Sequence, residues 1–420
     1  METNRRDFIK YIGVATATST LLAAGVAPAI ASGNDNAEIK KPSPIFDSVK
    51  IGSLTLKNRI IQSAMAKRRS NLDGSPNPDI MRVYNESAAG GAAMLITGLH
   101  YILEEDQFSR SAGGFYSDSQ IQAYKEFTDG VHKNGSKICI QLVLNGSKGT
   151  PGVNFKAANS KMFAPAPYTD PSSGLEVKEG MTKEEIKYCI DAHAKAAVRA
   201  QEAGFDAIEL HYAHDYMPAK FFLPYFNTRT DEYGGKEIEN RARFPFEILE
   251  AVRKAVGKDF PLIAKINSTD FLGRPGNTQK DIDYIAQGLA DRGIDALDIT
   301  GGTPFVTGDR EKLRDISLYS EEQSYFARYA RTIAKSVKVP MILTGGNRDV
   351  GVMETALKHN KNLVAFGMAR TLLCEPDLPL KWQKDPNYAP KCESCNWCHL
   401  TRVIDNVEIT LQCKFRRDKA

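Results

Sequence analysis

Tryptophan is scarce in this chain, and so is any excess of charge of one sign. Only 2 of 420 residues are Trp, and the formal charge is +4 with both signs mixed along the sequence. That balance carries no signature of nucleic-acid or membrane-surface binding. No GxGxxG turn follows an early strand. Its absence weakens a doubly wound dinucleotide-binding sheet, the runner-up architecture. Beyond the first thirty-odd residues no apolar run is long enough to span a bilayer. Internal repeats and low-complexity blocks are missing too, which excludes solenoid arrays.

What is present begins with a leader. Arg5-Arg6 precede Phe8 and Lys10, a mildly apolar stretch runs from Tyr11 to Ile30, and Ala29-Ile30-Ala31 supplies small residues for a signal peptidase. The pattern predicts a twin-arginine signal peptide over residues 1–31, cleaved after Ala31, and a periplasmic destination. A retained membrane anchor is the alternative. Residues 32–44 are polar, end in KKPSP and read as a linker.

The rest of the chain is long enough for one large barrel, and 42% apolar residues can fill its core. Strand-like runs recur at 59–64, 92–97, 137–142, 206–211, 261–266, 296–300, 339–344 and 363–367. Amphipathic, helix-length stretches separate several of them, plainly over 183–203, 238–256 and 281–292. Eight strands so spaced predict an α/β fold, a (β/α)8 TIM barrel over residues 45–385. Its longest insertion, roughly 145–180, is rich in Pro and Gly and is expected to shape the active site.

Seven cysteines in an exported chain would ordinarily mean disulfides. Their distribution argues otherwise. Cys139 and Cys189 fall in a strand and a helix and read as buried apolar residues, while Cys374 is ambiguous. The other four, Cys392, Cys395, Cys398 and Cys413, form a cysteine-rich extension over residues 386–420. Cysteines two residues apart cannot readily pair with each other but can converge on one metal. An iron–sulfur centre and zinc both suit such a set.

The densest run of chemistry is FDAIELHYAHDYMPAKFFLPYFNTRTDEYGGKEIENR, residues 205–241. An apolar strand leads straight into His211, His214 and Tyr216, at the edge where parallel α/β proteins bind ligands. Through HYAHDY and NTRTDEYGG this segment resembles the Old Yellow Enzyme family of flavin-dependent ene-reductases.

The resemblance implies FMN and assigns residues to it. Ser63, Ala64, Met65 and Ala66 would lie against the isoalloxazine. Many relatives carry proline where Ala64 stands and threonine or cysteine where Ala66 stands. Gly98 would let the ring approach the backbone, and Gln141 would bond its pyrimidine edge. Lys265 would place a cation near N1/O2, on the reasoning that a lysine in a barrel strand needs a partner. Gly345, Gly346, Ala369 and Arg370 would cradle the phosphate.

In the implied reaction, hydride leaves FMN N5 for an electron-poor alkene. His211 and His214 polarise the substrate carbonyl, and Tyr216 supplies the proton. Asp215 departs from the glycine usual before that tyrosine. Lys67, Arg68 and Arg69 suggest an anionic small-molecule substrate, against the plainer reading of a solvated charge run. Asp231, Glu232, Arg241 and Arg243 are expected to form a bracing ion-pair network, as in the family.

The Cys392-x2-Cys395-x2-Cys398 spacing resembles the iron–sulfur branch, which includes dienoyl-CoA reductase and trimethylamine dehydrogenase. That likeness implies a [4Fe–4S] cluster with Cys413 as fourth ligand, although the gap before Cys413 is longer than the pattern. Larger relatives continue into FAD and nicotinamide domains where this sequence stops. The cluster would then take electrons from a periplasmic or membrane redox partner, with direct NADH oxidation as the other route. Amine-dehydrogenase-like oxidation and a non-catalytic flavin relay are the alternative functions.

Overall fold

The eight runs become eight parallel strands whose ends meet. We label them β1 (Ile60–Gln62), β2 (Met94–Tyr101), β3 (Lys137–Val143), β4 (Ala207–Tyr212), β5 (Leu262–Asn267), β6 (Ala296–Thr300), β7 (Met341–Thr344) and β8 (Leu363–Met368). Each pairs with its neighbours in chain order, and β8 pairs with β1, so the sheet closes into a barrel. The computed structural model describes residues 42–67, 69–146, 163–169, 176–272, 276–302, 322–399, 401–404, 407–410 and 413–419. The predicted leader and most of the linker lie outside the described residues.

Helices cover the outside for reasons visible in the sequence. The helix Lys183–Glu202 starts at a capping box between Thr182 and Glu185 and buries Ile186, Cys189, Ala196 and Ala200 on one face. The run read as one helix over 238–256 is two, Ile238–Arg241 and Arg243–Val256, joined at Ala242. Gly257 then ends the second at φ 84°, a conformation glycine takes without Cβ strain.

Two further features position the site. A hairpin of Val49–Ile51 and Leu54–Leu56 precedes the barrel. Its Ile51, Leu54 and Leu56 pack with Ile61, Cys139, Ala207, Ile263, Ala296 and Ala365, so the N-terminal ends of the strands are plugged by apolar side chains. At the opposite end β2 is irregular between Ile96 and Leu99, and it continues to pair with a short extra strand, Gly113–Gly114.

Candidate active site at the C-terminal mouth

The end of β4 carries the first group of side chains. His211 is buried on the last turn of the strand, while the next residue, Tyr212, sends its hydroxyl outward to the Pro245 carbonyl at 2.8 Å. Alternation of this kind puts neighbours on opposite faces. The chain then turns sharply. His214 and Asp215 both adopt left-handed backbone, at φ 57° and 59°. Tyr216 follows as the N-cap of the short helix Met217–Phe222.

This turn gathers the three predicted catalytic residues. The His211 and Tyr216 rings lie 4.5 Å apart between centres, and those of His211 and His214 lie 5.4 Å apart, edge to face. His214 Nε2 is 3.1 Å from Thr300 Oγ1, and its backbone N–H donates to Asn267 Oδ1 at 3.4 Å. The rim of the site thus draws on β4, β5 and β6. Asp215 is fully buried, and the left-handed turn it occupies is one a glycine would enter more easily.

One layer below lies a buried polar floor. Lys265 is in register with both His211 and Asp298. Its ammonium contacts the Asp298 carboxylate directly and lies 3.4 Å from Glu209 Oε1. Gln141 Nε2 donates to the same Glu209 oxygen at 2.6 Å. All four side chains are buried. The expectation that this lysine needs a flavin as its partner is therefore corrected, because the protein supplies two carboxylates.

Burial pushes Glu209 up to about 8, with Lys265 opposing and Asp298 reinforcing the rise. Burial alone would lower the Lys265 pKa, but Asp298 and then Glu209 outweigh it and the ammonium is favoured. The floor therefore holds a Lys265–Asp298 ion pair beside a Glu209 that keeps its proton at neutral pH. Glu209 Oε2 and Asp298 Oδ1 are buried and have no hydrogen-bond partner among the described residues. Neither acid was anticipated from the sequence. The available signal is a carboxylate in each of two otherwise apolar strands, AIELHY and ALDIT.

The remaining flavin-assigned residues sit on the adjoining strand ends. Ser63 N–H donates to the Met368 carbonyl at 3.1 Å, which ties the segment Ser63–Ala66 to the end of β8. Gly98 has a local reason to lack a side chain, since a Cβ there would fall 2.5 Å from the Met65 carbonyl oxygen. Gly345 and Gly346 are pressed against the Tyr325 ring, 2.6 Å from either added Cβ. Ala369 leads into the helix Arg370–Cys374. The Arg370 guanidinium donates to Asn396 Oδ1 at 2.6 Å and also bonds the Tyr325 hydroxyl.

These residues fit FMN at one point in particular. Thr344 Oγ1, at the end of β7, is buried without a partner among the described residues. It lies where a Cβ on Gly367 would come within 1.9 Å of it, beside Ser63. A hydroxyl donor left unsatisfied among strand ends is what a bound polar group would complete.

Three expectations change in detail. Lys67, Arg68 and Arg69 do not form one cationic rim among the described residues, which exclude Arg68. Lys67 is buried with Nζ 3.9 Å from the centre of the Tyr84 ring, and burial, aided by Arg416, lowers its pKa to about 7. Arg69 lies 3.9 Å from Asp79.

The bracing network has other partners than expected. Asp231 pairs with Arg229 at 2.6 Å, Glu232 with Lys183 at 2.8 Å and Arg241 with Asp281 at 3.0 Å. Arg241 also donates to the Phe222 carbonyl at 2.7 Å, so it supports the loop through backbone as well as through charge.

The cysteines, finally, do not gather as a cubane requires. Among the described residues no three His, Cys, Asp or Glu side chains are arranged to hold a metal ion. Cys395 is exposed, and Cys392 is only partly buried. The Cys413 thiol hydrogen-bonds the residue left ambiguous in the sequence, Cys374. This arrangement does not fit a four-thiolate centre, and no chemistry is routed through one here.

Residues 44–388 match the NADH:flavin oxidoreductase / NADH oxidase family. The chain belongs to that family. It is 32% identical over 375 residues to an NADH oxidase of Thermoanaerobacter brockii, covering 87% of this chain and 55% of that one. The chain thus spans little more than half the length of that relative. It is 33% identical over 333 residues to an NADPH dehydrogenase of Clostridium acetobutylicum, covering 79% of this chain and 92% of the relative. A 2-naphthoyl-CoA reductase structure superposes with a TM-score of 0.74 at 25% identity, over 84% of this chain and 54% of its own.

Proposed function

We propose that this protein is an FMN-dependent reductase of activated C=C bonds in small α,β-unsaturated carbonyl or carboxylate compounds. The observation that carries the reading is the cluster of His211, His214 and Tyr216 rings over the mouth of β4, within 5.4 Å of one another in sequence along the turn. FMN, when bound, supplies the hydride.

The protein's own groups do the rest. His211 and His214 present ring N–H groups from two directions, so one carbonyl oxygen between them can accept from both. Thr300 and Asn267 hold His214 in that orientation. Tyr216, stacked beside His211, delivers a proton to the carbon next to the carbonyl. A phenol of pKa about 10 in water keeps that proton at neutral pH until a carbanion-like centre demands it. The apolar plug below the floor excludes water from the far end of the barrel.

The names of the relatives favour a reduced nicotinamide as the electron source. The Arg5-Arg6 leader supports export, and an Arg5→Lys, Arg6→Lys variant retained in the cytoplasm would bear that out.

Replacing Tyr216 with Phe tests the reading. The variant should still bind flavin, seen in its absorption bands, and still accept electrons from NADH or dithionite. Its alkene reduction should fall by 10²-fold or more, roughly the contribution of a placed proton donor. Undiminished reduction of 2-cyclohexenone by Tyr216→Phe would sink it.

A further inference from the structure

Cys374 ends the short helix that follows β8, and Cys413 precedes the last turn of the chain, Lys414–Lys419. Both side chains are buried, and their thiols share a hydrogen bond. Ties that do not involve sulfur hold the two segments together. The Arg416 N–H closes its turn on the Cys413 carbonyl at 2.9 Å. Its guanidinium donates to the Leu373 carbonyl at 3.2 Å and pairs with Glu86 on the helix Pro78–Ala89. From the other side, Tyr388 donates to the Glu375 carboxylate at 2.7 Å, and the Lys391 N–H donates to the same group. Residues 373–375 are therefore gripped by both ends of the cysteine-rich extension.

We infer that Cys374 and Cys413 form a reversible disulfide that fastens this extension to the barrel. The chemistry needs a disulfide oxidant, and a small one such as oxidised glutathione suffices. One protein thiolate attacks a glutathione sulfur, forming a mixed disulfide and releasing a glutathione thiolate. The second protein thiolate attacks the mixed disulfide, closing the Cys374–Cys413 bond and releasing the other glutathione. The protein loses two electrons and two protons, and the small disulfide gains them. Closure bridges the helix that carries Arg370 to the end of the extension, whose Asn396 already binds that arginine.

The experiment uses the full chain as purified, with its cofactor. Samples are equilibrated across a series of reduced and oxidised glutathione ratios, alkylated, digested without reductant and mapped by mass spectrometry. A cross-linked peptide joining Cys374 to Cys413 is expected, with Cys392, Cys395 and Cys398 recovered alkylated. Reduction should lower the melting temperature by roughly 5 °C, and Cys374→Ser should abolish both the peptide and the shift. If that variant fails to fold, the wild-type peptide map decides alone. The inference is overturned if both cysteines stay alkylated across the series, or if Cys413 is found joined to Cys392 or Cys398. It is also overturned if bound iron or zinc protects Cys413 from alkylation until a chelator removes it. None of these readouts requires the protein to reduce an alkene.

Discussion

Lys265 on β5 and Asp298 on β6 stand side by side in register, ammonium against carboxylate, at the floor of the barrel mouth. Both are sealed from water, with 3% and 0% of their surfaces exposed. Breaking such a pair leaves an uncompensated charge in a dry site. Asp298→Asn should cost about 3–5 kcal/mol in urea unfolding. Replacing both partners, with Lys265→Met and Asp298→Leu, should recover much of that loss. A single variant as stable as the parent would show that the pair is not confined as described.

Glu209 gives the protein a pH dependence of known sign. Its folded value is raised above the ordinary carboxylate range, so folding favours the protonated form. The associated stability is fully present in mild acid and is lost as pH rises through about 8. Glu209→Gln keeps the shape and removes the titration. Between pH 5 and pH 9 the variant should lose less stability than the parent, by roughly 1 kcal/mol or more. Parallel stability curves for the two proteins would contradict the assignment.

Lys67 works the other way. Its pKa is lowered to about 7, so the unfolded chain binds the extra proton between there and the ordinary lysine value. The cost of burying the ammonium is full below pH 7 and fades as pH rises toward about 10. Lys67→Met should raise stability at pH 6 by an amount on the order of a few kcal/mol, and the gain should shrink by pH 9. A gain constant with pH would point to packing instead of charge.

Asp215 occupies left-handed backbone at φ 59°. Asp215→Ala and Asp215→Gly both delete the carboxylate, so the difference between them isolates the backbone. The glycine variant should be the more stable by about 1–2 kcal/mol. It should also keep more alkene reduction, because the turn sets where Tyr216 stands. Equal stability would mean that the turn relaxes when the carboxylate leaves.

Strands were the legible part of this sequence. Each β-run is apolar, short and bounded by turn residues, and β3, β4 and β6 begin within a residue of where the pattern puts them. The turn from His211 to Tyr216 was legible too, because its three functional side chains are neighbours along the chain. The floor was not. Glu209, Lys265 and Asp298 come from three strands that only barrel closure aligns, and each alone looks like an isolated charge. The partners of Asp231 and Glu232 escaped for a related reason. Local spacing suggested pairing within one loop, whereas Glu232 reaches Lys183 at the start of a helix far back in the sequence. Arg416 shows the same limit, since nothing local links it to Glu86.

The hairpin plug at the other end of the barrel carries a kinetic consequence. With Ile51, Leu54 and Leu56 stopping the lower end, the strands open to solvent only at their C-terminal ends. A reductant and an alkene that both need the same cofactor face must then pass one doorway in alternation. Steady-state rates at several fixed NADH concentrations should give parallel double-reciprocal lines, and each reactant in excess should obstruct the other. Intersecting lines would mean the two are seated together.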